Sequence, residues 1–381
     1  MKKIKYLLFT IIGALAITSC TDISASDSSS DDTSTASYES STSTQVYYTN
    51  PVFNTNFPDP TCIRGDDGYY YAFSTQSYGS WGNDIYGTKY VPIMKSLNLI
   101  EWEFVGQVFS AGTRPTWGTA NAGIWAPDIV KIDDTYNLYY SLSIWGDEDP
   151  GIGVCTATEL AGPWTDCGKV FKTSEIGVNN SIDPNVVVDT DGRVYMVWGS
   201  MRGNYIIELT SDGLSLLNPE TAADDKIRVA GYDTGVSWAA STYEGSFILP
   251  KDGYYYLFLS SGSCCEGYSS SYHVEVGRAT TITGPYYDDD GNDMLAGNRG
   301  HHVINRSSYF IGTGHNTIVQ DDAGEYWMLY HAYYNDSLRG SSESRVLCLD
   351  MLYWDEEGWP NTIGTMPSNS STLGPTITLK N

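Results

Sequence analysis

Five polar residues open five similar stretches of this chain. Asp59 begins PDPTCIRGDDGYYYAFS, Asp183 begins IDPNVVVDTDGRVYMVWGS, Glu244 stands in STYEGSFILPKDGYYYLFLSS, and His315 in GHNTIVQDDAGEYWMLYHA. Each of these four precedes a turn glycine (Gly68, Gly192, Gly253 or Gly324) by nine residues. Asp128, in APDIVKIDDTYNLYYSLS, heads a fifth copy that is two residues shorter to its turn. Alone, an Asp-Pro step starts a turn and a single Glu is solvated. Repeated in five copies, four carboxylates and one imidazole converge wherever the copies are arranged radially. Crowded carboxylates acquire different pKa values, so one can be an anionic base while another keeps a proton. With no Ser/His/Asp set and no phosphate-binding loop, that combination points to cleavage of a glycosidic bond.

The elements that must carry these groups are hairpins. In the stretch Ser241–Ser261, two apolar, aromatic-rich runs flank Asp252-Gly253, a strong hairpin signal. Turns fall near residues 68, 135, 192, 253 and 324, about 60 to 70 residues apart, enough for a four-stranded unit with its loops. Outer halves repeat too, as Leu99-Ile-Glu-Trp102, Leu160-Ala-Gly-Pro-Trp164 and Ile282-Thr-Gly-Pro-Tyr286. Self-similarity at this period predicts an all-β, five-bladed β-propeller. Arg345–Pro360 supplies two late strands, and Tyr47–Phe57 is a candidate to complete the last blade. The opening residues then line one mouth of the central channel. Trp125, Tyr243, Trp81, Trp117 and Trp238 fall in or near loops at that face, and flat rings suit sugar C–H surfaces.

The N-terminal region reads differently. Residues 1–20 combine a lysine-rich start, an apolar run and Ile17-Thr18-Ser19-Cys20, which resembles a bacterial lipobox. The expectation is an exported lipoprotein anchored in the outer membrane through Cys20, since acylation by more than one chain suffices for stable attachment. Residues 21–46, rich in Ser, Thr and Asp, read as a disordered tether. Residues 47–381 form the propeller. A net charge of −25 repels phosphate backbones, so nucleic acid is excluded as a partner and a neutral substrate is favoured. An exported chain permits disulfides. Cys155 and Cys167 could face each other across strands, and the adjacent Cys264 and Cys265 could be bonded or reduced.

Phe57-Pro-Asp59-Pro60, Trp125-Ala-Pro-Asp128, Ser181-Ile-Asp183-Pro-Asn185, Tyr243-Glu244-Gly245, Ser263-Cys-Cys-Glu-Gly267 and Gly314-His315-Asn316 together resemble glycoside hydrolase family 43, nearest its endo-α-1,5-L-arabinanase branch. The resemblance implies a five-bladed propeller hydrolysing arabinan or arabino-oligosaccharides with inversion. It implies Asp59 as general base, Asp183 as the residue that tunes and orients the acid, and Glu244 as general acid. It further implies Asp128 as a channel-lining or substrate-contacting residue and calcium or a similar hydrated cation on His315; Trp125, Asn185 and Tyr243 are the other candidate substrate contacts. Pro58 and Gly312-Thr-Gly314 depart from the arabinanase pattern of His and Gly-Pro-Gly at those places. Exo-acting α-L-arabinofuranosidase or β-xylosidase activity is the alternative on the same scaffold. A non-catalytic carbohydrate-binding lipoprotein is disfavoured, because all three carboxylates are present.

Overall fold

A computed structural model describes residues 42–235, 243–335 and 344–379. Five antiparallel sheets follow one another along the chain, as the repeat predicts. Their innermost strands are Thr61–Arg64, Gly123–Ile132, Asn185–Val188, Tyr243–Lys251 and Phe310–Gln320. The hairpin around Asp252-Gly253 forms as expected, with Tyr243–Lys251 paired to Tyr254–Ser261. Both turn residues have positive φ, 51° and 81°, the requirement that selects Asp-Gly there.

The core is divided among the seams between blades. Phe258, Val276, Met328 and Tyr330 fill the seam between blades four and five. Equivalent clusters fill the seams one–two, two–three and three–four. The last seam, between blades five and one, holds Phe57, Tyr70, Trp81, Trp327, Leu329 and Leu347. Strand pleating gives each blade two apolar faces, and each face is buried only by its neighbour. Cutting a fully buried side chain such as Phe258 to Ala is therefore expected to cost about 3–5 kcal/mol.

Ring closure differs from the expectation for Tyr47–Phe57. Blade five takes its fourth strand from Pro360–Asn361, so the N-terminal segment is not needed as a blade strand. Instead Phe53 makes an isolated bridge to Leu347, and Asn50 bonds to Leu349 and Asp350. Strands Thr42–Tyr48 and Thr372–Leu379 pair with each other outside the blades, and bring Tyr48 and Ile377 into the five–one seam.

Cys264 and Cys265 are disulfide-bonded to each other. Cys155 and Cys167 are free. Cys155 lies opposite Asp166 in the ladder, so the neighbouring Cys167 points to the other face.

Candidate active site

Each inner strand begins with a break in its ladder. Asp59, Ala126, Asp183, Gly245 and His315 all have left-handed backbone, with φ of 53°, 41°, 61°, 57° and 50°. Two residues later regular pairing resumes, at Thr61, Asp128, Asn185, Phe247 and Thr317. The amide of each left-handed residue is thereby swung out of its own blade, and in every case it is taken by a side chain of the preceding blade. Ala126 donates to Thr75 Oγ1 at 2.7 Å, Asp183 to Ser141 Oγ at 2.9 Å, and His315 to Ser260 Oγ at 2.8 Å. Asp59 donates to His331 Nδ1 at 3.1 Å. At the seam between blades three and four the corresponding position is Gly199, which has no side chain. There the Gly245 amide turns to the Asp183 carboxylate, Oδ2, at 3.3 Å. A Cβ on Gly199 would lie 2.3 Å from the Gly203 carbonyl oxygen, so backbone packing excludes an alternative acceptor at residue 199.

This register corrects the equivalence of the five opening residues. Turns at residues 65–69, 189–193 and 321–325 are longer than those at 133–134 and 252–253. A fixed count back from the turn therefore lands on different ladder positions. Glu244 is one residue before the left-handed position, level with Trp125. Asp128 is two residues beyond it, level with Thr61 and Asn185. Its carboxylate is spent on its neighbours, accepting from Asn185 Nδ2 at 3.0 Å, the Val186 amide at 2.7 Å and Thr61 Oγ1 at 3.4 Å. Burial pushes Asp128 up to about 6 despite those donors. Asn185 in turn accepts the Ile248 amide. Asp128 and Asn185 thus tie blades one to four together around the axis, and neither lines the cleft.

The cleft has a volume of about 610 Å³ and is lined by all five blades. Asp59, Asp183, Glu244, His315 and Trp125 line it, as expected. Tyr243 does not. Its ring is fully buried, and its hydroxyl donates to the Arg299 carbonyl and accepts the Arg299 amide. Trp81 is core in the five–one seam, with Nε1 donating to Gly87 O. Trp117 packs on the one–two core and donates to the Tyr140 hydroxyl. Trp238 and Cys20 lie outside the described residues. Trp145, from the loop after the second strand of blade two, joins Trp125 on the cleft wall with ring centroids 5.5 Å apart. The bonded Cys264–Cys265 pair also lines it.

The three carboxylates have different charge states. Asp59 is buried, which alone would raise its pKa. The Arg345 guanidinium at 2.9 Å, with His331 and His315 beside the carboxylate, instead holds it well below the usual carboxylate range. Thr75 donates to its other oxygen at 2.7 Å. His331 is itself neutral, its pKa lowered by burial to about 4. Asp183 is raised well above the ordinary value by burial, then by the negative charges of Glu244 and Asp59. Glu244 is raised by burial and by Asp59, against the hydroxyl of Ser200, which donates to it at 2.7 Å. Tyr272 lies beside Glu244 without reaching hydrogen-bond geometry. The Asp183–Glu244 pair therefore keeps a proton at pH values where Asp59 is fully ionised.

Burial also lowers His315, so at neutral pH one ring nitrogen retains a lone pair. The nearest carboxylate oxygen, Asp59 Oδ1 at 3.6 Å, is engaged by Arg345. A calcium ion here would have a single free protein ligand, and water would have to supply most of the oxygens it prefers. The surroundings fit a hydrated cation and not a protein-caged one.

Arg345, Thr75, His331, Ser200 and Trp145 were not marked by sequence reasoning. Thr75, Ser141, Ser260 and His331 do share a signal: each is polar and closes an apolar run, in YYYAFST, YYSLS, YLFLSS and WMLYHA. Arg345 has no such marker.

Comparison with known proteins agrees with this geometry. Residues 48–360 match the family described as Glycosyl hydrolases family 43. An extracellular exo-α-(1→5)-L-arabinofuranosidase of Cellvibrio japonicus is 33% identical over 315 residues, covering 79% of this chain and 85% of the relative. An extracellular endo-α-(1→5)-L-arabinanase of Bacillus subtilis is 30% identical over 310 residues, covering 80% and 86%. Among solved structures, the Cellvibrio cellulosa α-L-arabinanase complexed with arabinohexaose superposes with a TM-score of 0.68 at 31% identity, covering 81% of this chain and 95% of that one. With the family matched across all five blades and its carboxylates gathered in one cleft, this chain belongs to glycoside hydrolase family 43.

Proposed function

We propose that the protein is an inverting endo-hydrolase of the α-1,5-L-arabinofuranosidic bonds of arabinan. The observation that carries this reading is the split protonation of three carboxylates in one cleft: Asp59 anionic, and Asp183 with Glu244 retaining a proton. Asp59 accepts a proton from water as that water attacks the anomeric carbon. Glu244 donates its proton to the departing glycosidic oxygen. The C–O bond to the leaving sugar breaks as the bond to water forms, so the configuration inverts. Asp183 acts through Glu244: with one proton between them the buried pair resists a second ionisation, which keeps the acid supplied with its proton, and the bond of Asp183 to the Gly245 amide fixes the chain that carries the acid. Arg345 and Thr75 hold Asp59 ionised and oriented.

Trp125 and Trp145 offer ring faces to the sugar chain. A neutral polymer suits a chain of charge −25. His315 would hold a hydrated calcium or similar cation, which would contribute positive charge at the floor of the cleft. Endo action is supported by the relatives named endo-arabinanases. The exo-acting reading is favoured by the Cellvibrio japonicus relative. A product profile on linear arabinan, debranched arabinan and xylan separates the two. Early release of mixed arabino-oligosaccharides supports endo cleavage, and a single short product from the outset supports exo cleavage. Activity confined to xylan would refute both arabinan readings and leave the β-xylosidase alternative.

We also infer attachment to the outer membrane through Cys20, on the strength of the lipobox. Membrane association that persists in Cys20→Ala would count against it.

A further inference from the structure

Blade four carries a second group of convergent side chains. Its third strand, His273–Ala279, pairs antiparallel with its fourth, His301–Ile304, and Glu275 lies opposite His302. His273 is two residues before Glu275 and so shares its face. His273 Nε2 lies 3.3 Å from Glu275 Oε1, and His302 Nδ1 lies 3.7 Å from the same oxygen. One candidate ligand atom from each of the three residues lies within 4.8 Å of the others, and among the described residues no other trio of His, Cys, Asp or Glu meets this condition.

We propose that His273, Glu275 and His302 bind a divalent transition ion of the zinc class, with water in the fourth position. A tetrahedral site with bonds of about 2.0–2.1 Å has ligand–ligand edges of about 3.3–3.4 Å, close to the two separations from Glu275 Oε1. The tautomer is also prepared. His273 Nδ1 is 3.0 Å from the Ser271 carbonyl oxygen, so an N–H there donates to it, and a metal that displaces the proton on Nε2 meets a lone pair directed toward Glu275. Metal-bound imidazoles are oriented by such an outer hydrogen bond. Glu275 is only 5% exposed, and its Oε2 is buried with no hydrogen-bond partner among the described residues. A buried carboxylate without full pairing is costly, and a cation on Oε1 offsets the cost of burying its charge.

A simple ion pair of His273 with Glu275 accounts for one contact. It gives no reason for the second imidazole beside the same oxygen. Two imidazoles with one carboxylate favour zinc over calcium or magnesium, which prefer oxygen. Gly300 makes room for the carboxylate: a Cβ there would lie 2.7 Å from Glu275 Cβ and 3.5 Å from Oε2. The His302 side chain is 58% exposed, so the ion has a route in and water has a place on it.

The ladder locates the group relative to the cleft. Glu244 pairs with Ser260, and Ser260 with Val274. The trio therefore sits about two strand spacings, roughly 10 Å, out from Glu244. Bound there, the ion staples the four-residue edge strand to its neighbour and touches no cleft residue.

The test uses the full chain without a histidine tag, stripped with chelator. It is titrated with Zn²⁺ by calorimetry and with Co²⁺ by visible absorption. His315→Ala is run in parallel, to separate this site from the cleft. We expect one zinc equivalent that His315→Ala retains and that both His273→Ala and His302→Ala bind at least tenfold more weakly. Tetrahedral Co²⁺ bands should disappear in the same two variants. Zinc should raise the Tm of the parent but not of His302→Ala, whose turnover stays within twofold of the parent. His302 is largely exposed, so its variant folds. Unchanged zinc affinity in either variant, or no zinc binding by the parent, overturns the proposal.

Discussion

Replacing Arg345 with Met tests the assignment of Asp59 most directly. The guanidinium and carboxylate are 2.9 Å apart, with side chains 16% and 11% exposed. At an effective dielectric of about 20 and a charge separation of about 4 Å, the attraction is about 4 kcal/mol. That corresponds to about 3 pKa units at 1.36 kcal/mol each. Without it, burial is opposed only by Thr75 and the two imidazoles, and Asp59 rises by about those 3 units, back into the ordinary carboxylate range near pH 4. The parent enzyme should show no acidic limb from Asp59 in the working range, because its base is ionised throughout. Arg345→Met should acquire one there, visible in kcat/KM on linear arabinan measured from pH 4 to 9. Stability should change in the matching direction. A depressed folded pKa contributes stability above the unfolded value near 4, and that contribution fades as pH falls toward the folded value. The variant should lose that contribution, and its neutral-pH Tm should drop. A variant that loses stability but, like the parent, shows no acidic limb would show that Asp59 is not the ionised base.

Asp183→Asn leaves Glu244 to titrate without a partner carboxyl that resists its ionisation, so Glu244 should ionise at lower pH and the alkaline limb of the rate profile should move down; an unmoved limb would leave Asp183 a purely structural part. Glu244→Gln should depress turnover of arabinan by about 10²–10⁴-fold and spare activated aryl arabinofuranosides, which need little protonation; equal loss on both would argue against an acid role. NMR of the first-formed sugar should show the β anomer, and an initial α product would mean that Asp59 is not acting through water. Trp145→Ala should raise KM for long oligosaccharides several-fold more than for short ones, at a fraction of a turnover change; uniform effects would remove it from the binding wall. In His302→Ala, which lacks the blade-four zinc site, chelation should lower turnover with little change in Tm, and an unchanged rate after verified metal loss would dismiss a cation on His315.

What the sequence made legible follows from where the signals are local. Asp59, Asp183, Glu244 and His315 each stand within ten residues of a turn glycine that punctuates an apolar hairpin, and all four reach the cleft. Asp128 misled because turn length, not chain distance, sets the ladder position, and a two-residue turn moved it to the level that bonds blade to blade. Tyr243 shares a motif with the acid but points to the opposite face of its strand, as adjacent strand residues must. Arg345 was invisible because its partner Asp59 is 286 residues away, and no local pattern records a contact made only when the ring closes. Tyr47–Phe57 was placed near the right blade but given the wrong job, since apolar residues that cover a blade and those that extend it look alike.

The missing side chain at Gly199 has a further consequence for how this site can be altered. At the other four seams the acceptor for the neighbouring amide and the group facing the cleft are separate side chains, so either can be exchanged while the other persists. Between blades three and four one carboxylate does both. Any exchange of Asp183 that abolishes its charge also loosens the joint beneath Glu244. The natural repair, a hydroxyl at residue 199, is barred by the Gly203 carbonyl 2.3 Å from where its Cβ would go. A redesign that seeks a different acidity for Glu244 must therefore work through Ser200 or Tyr272, which touch the acid's surroundings but carry no blade-to-blade joint of this kind.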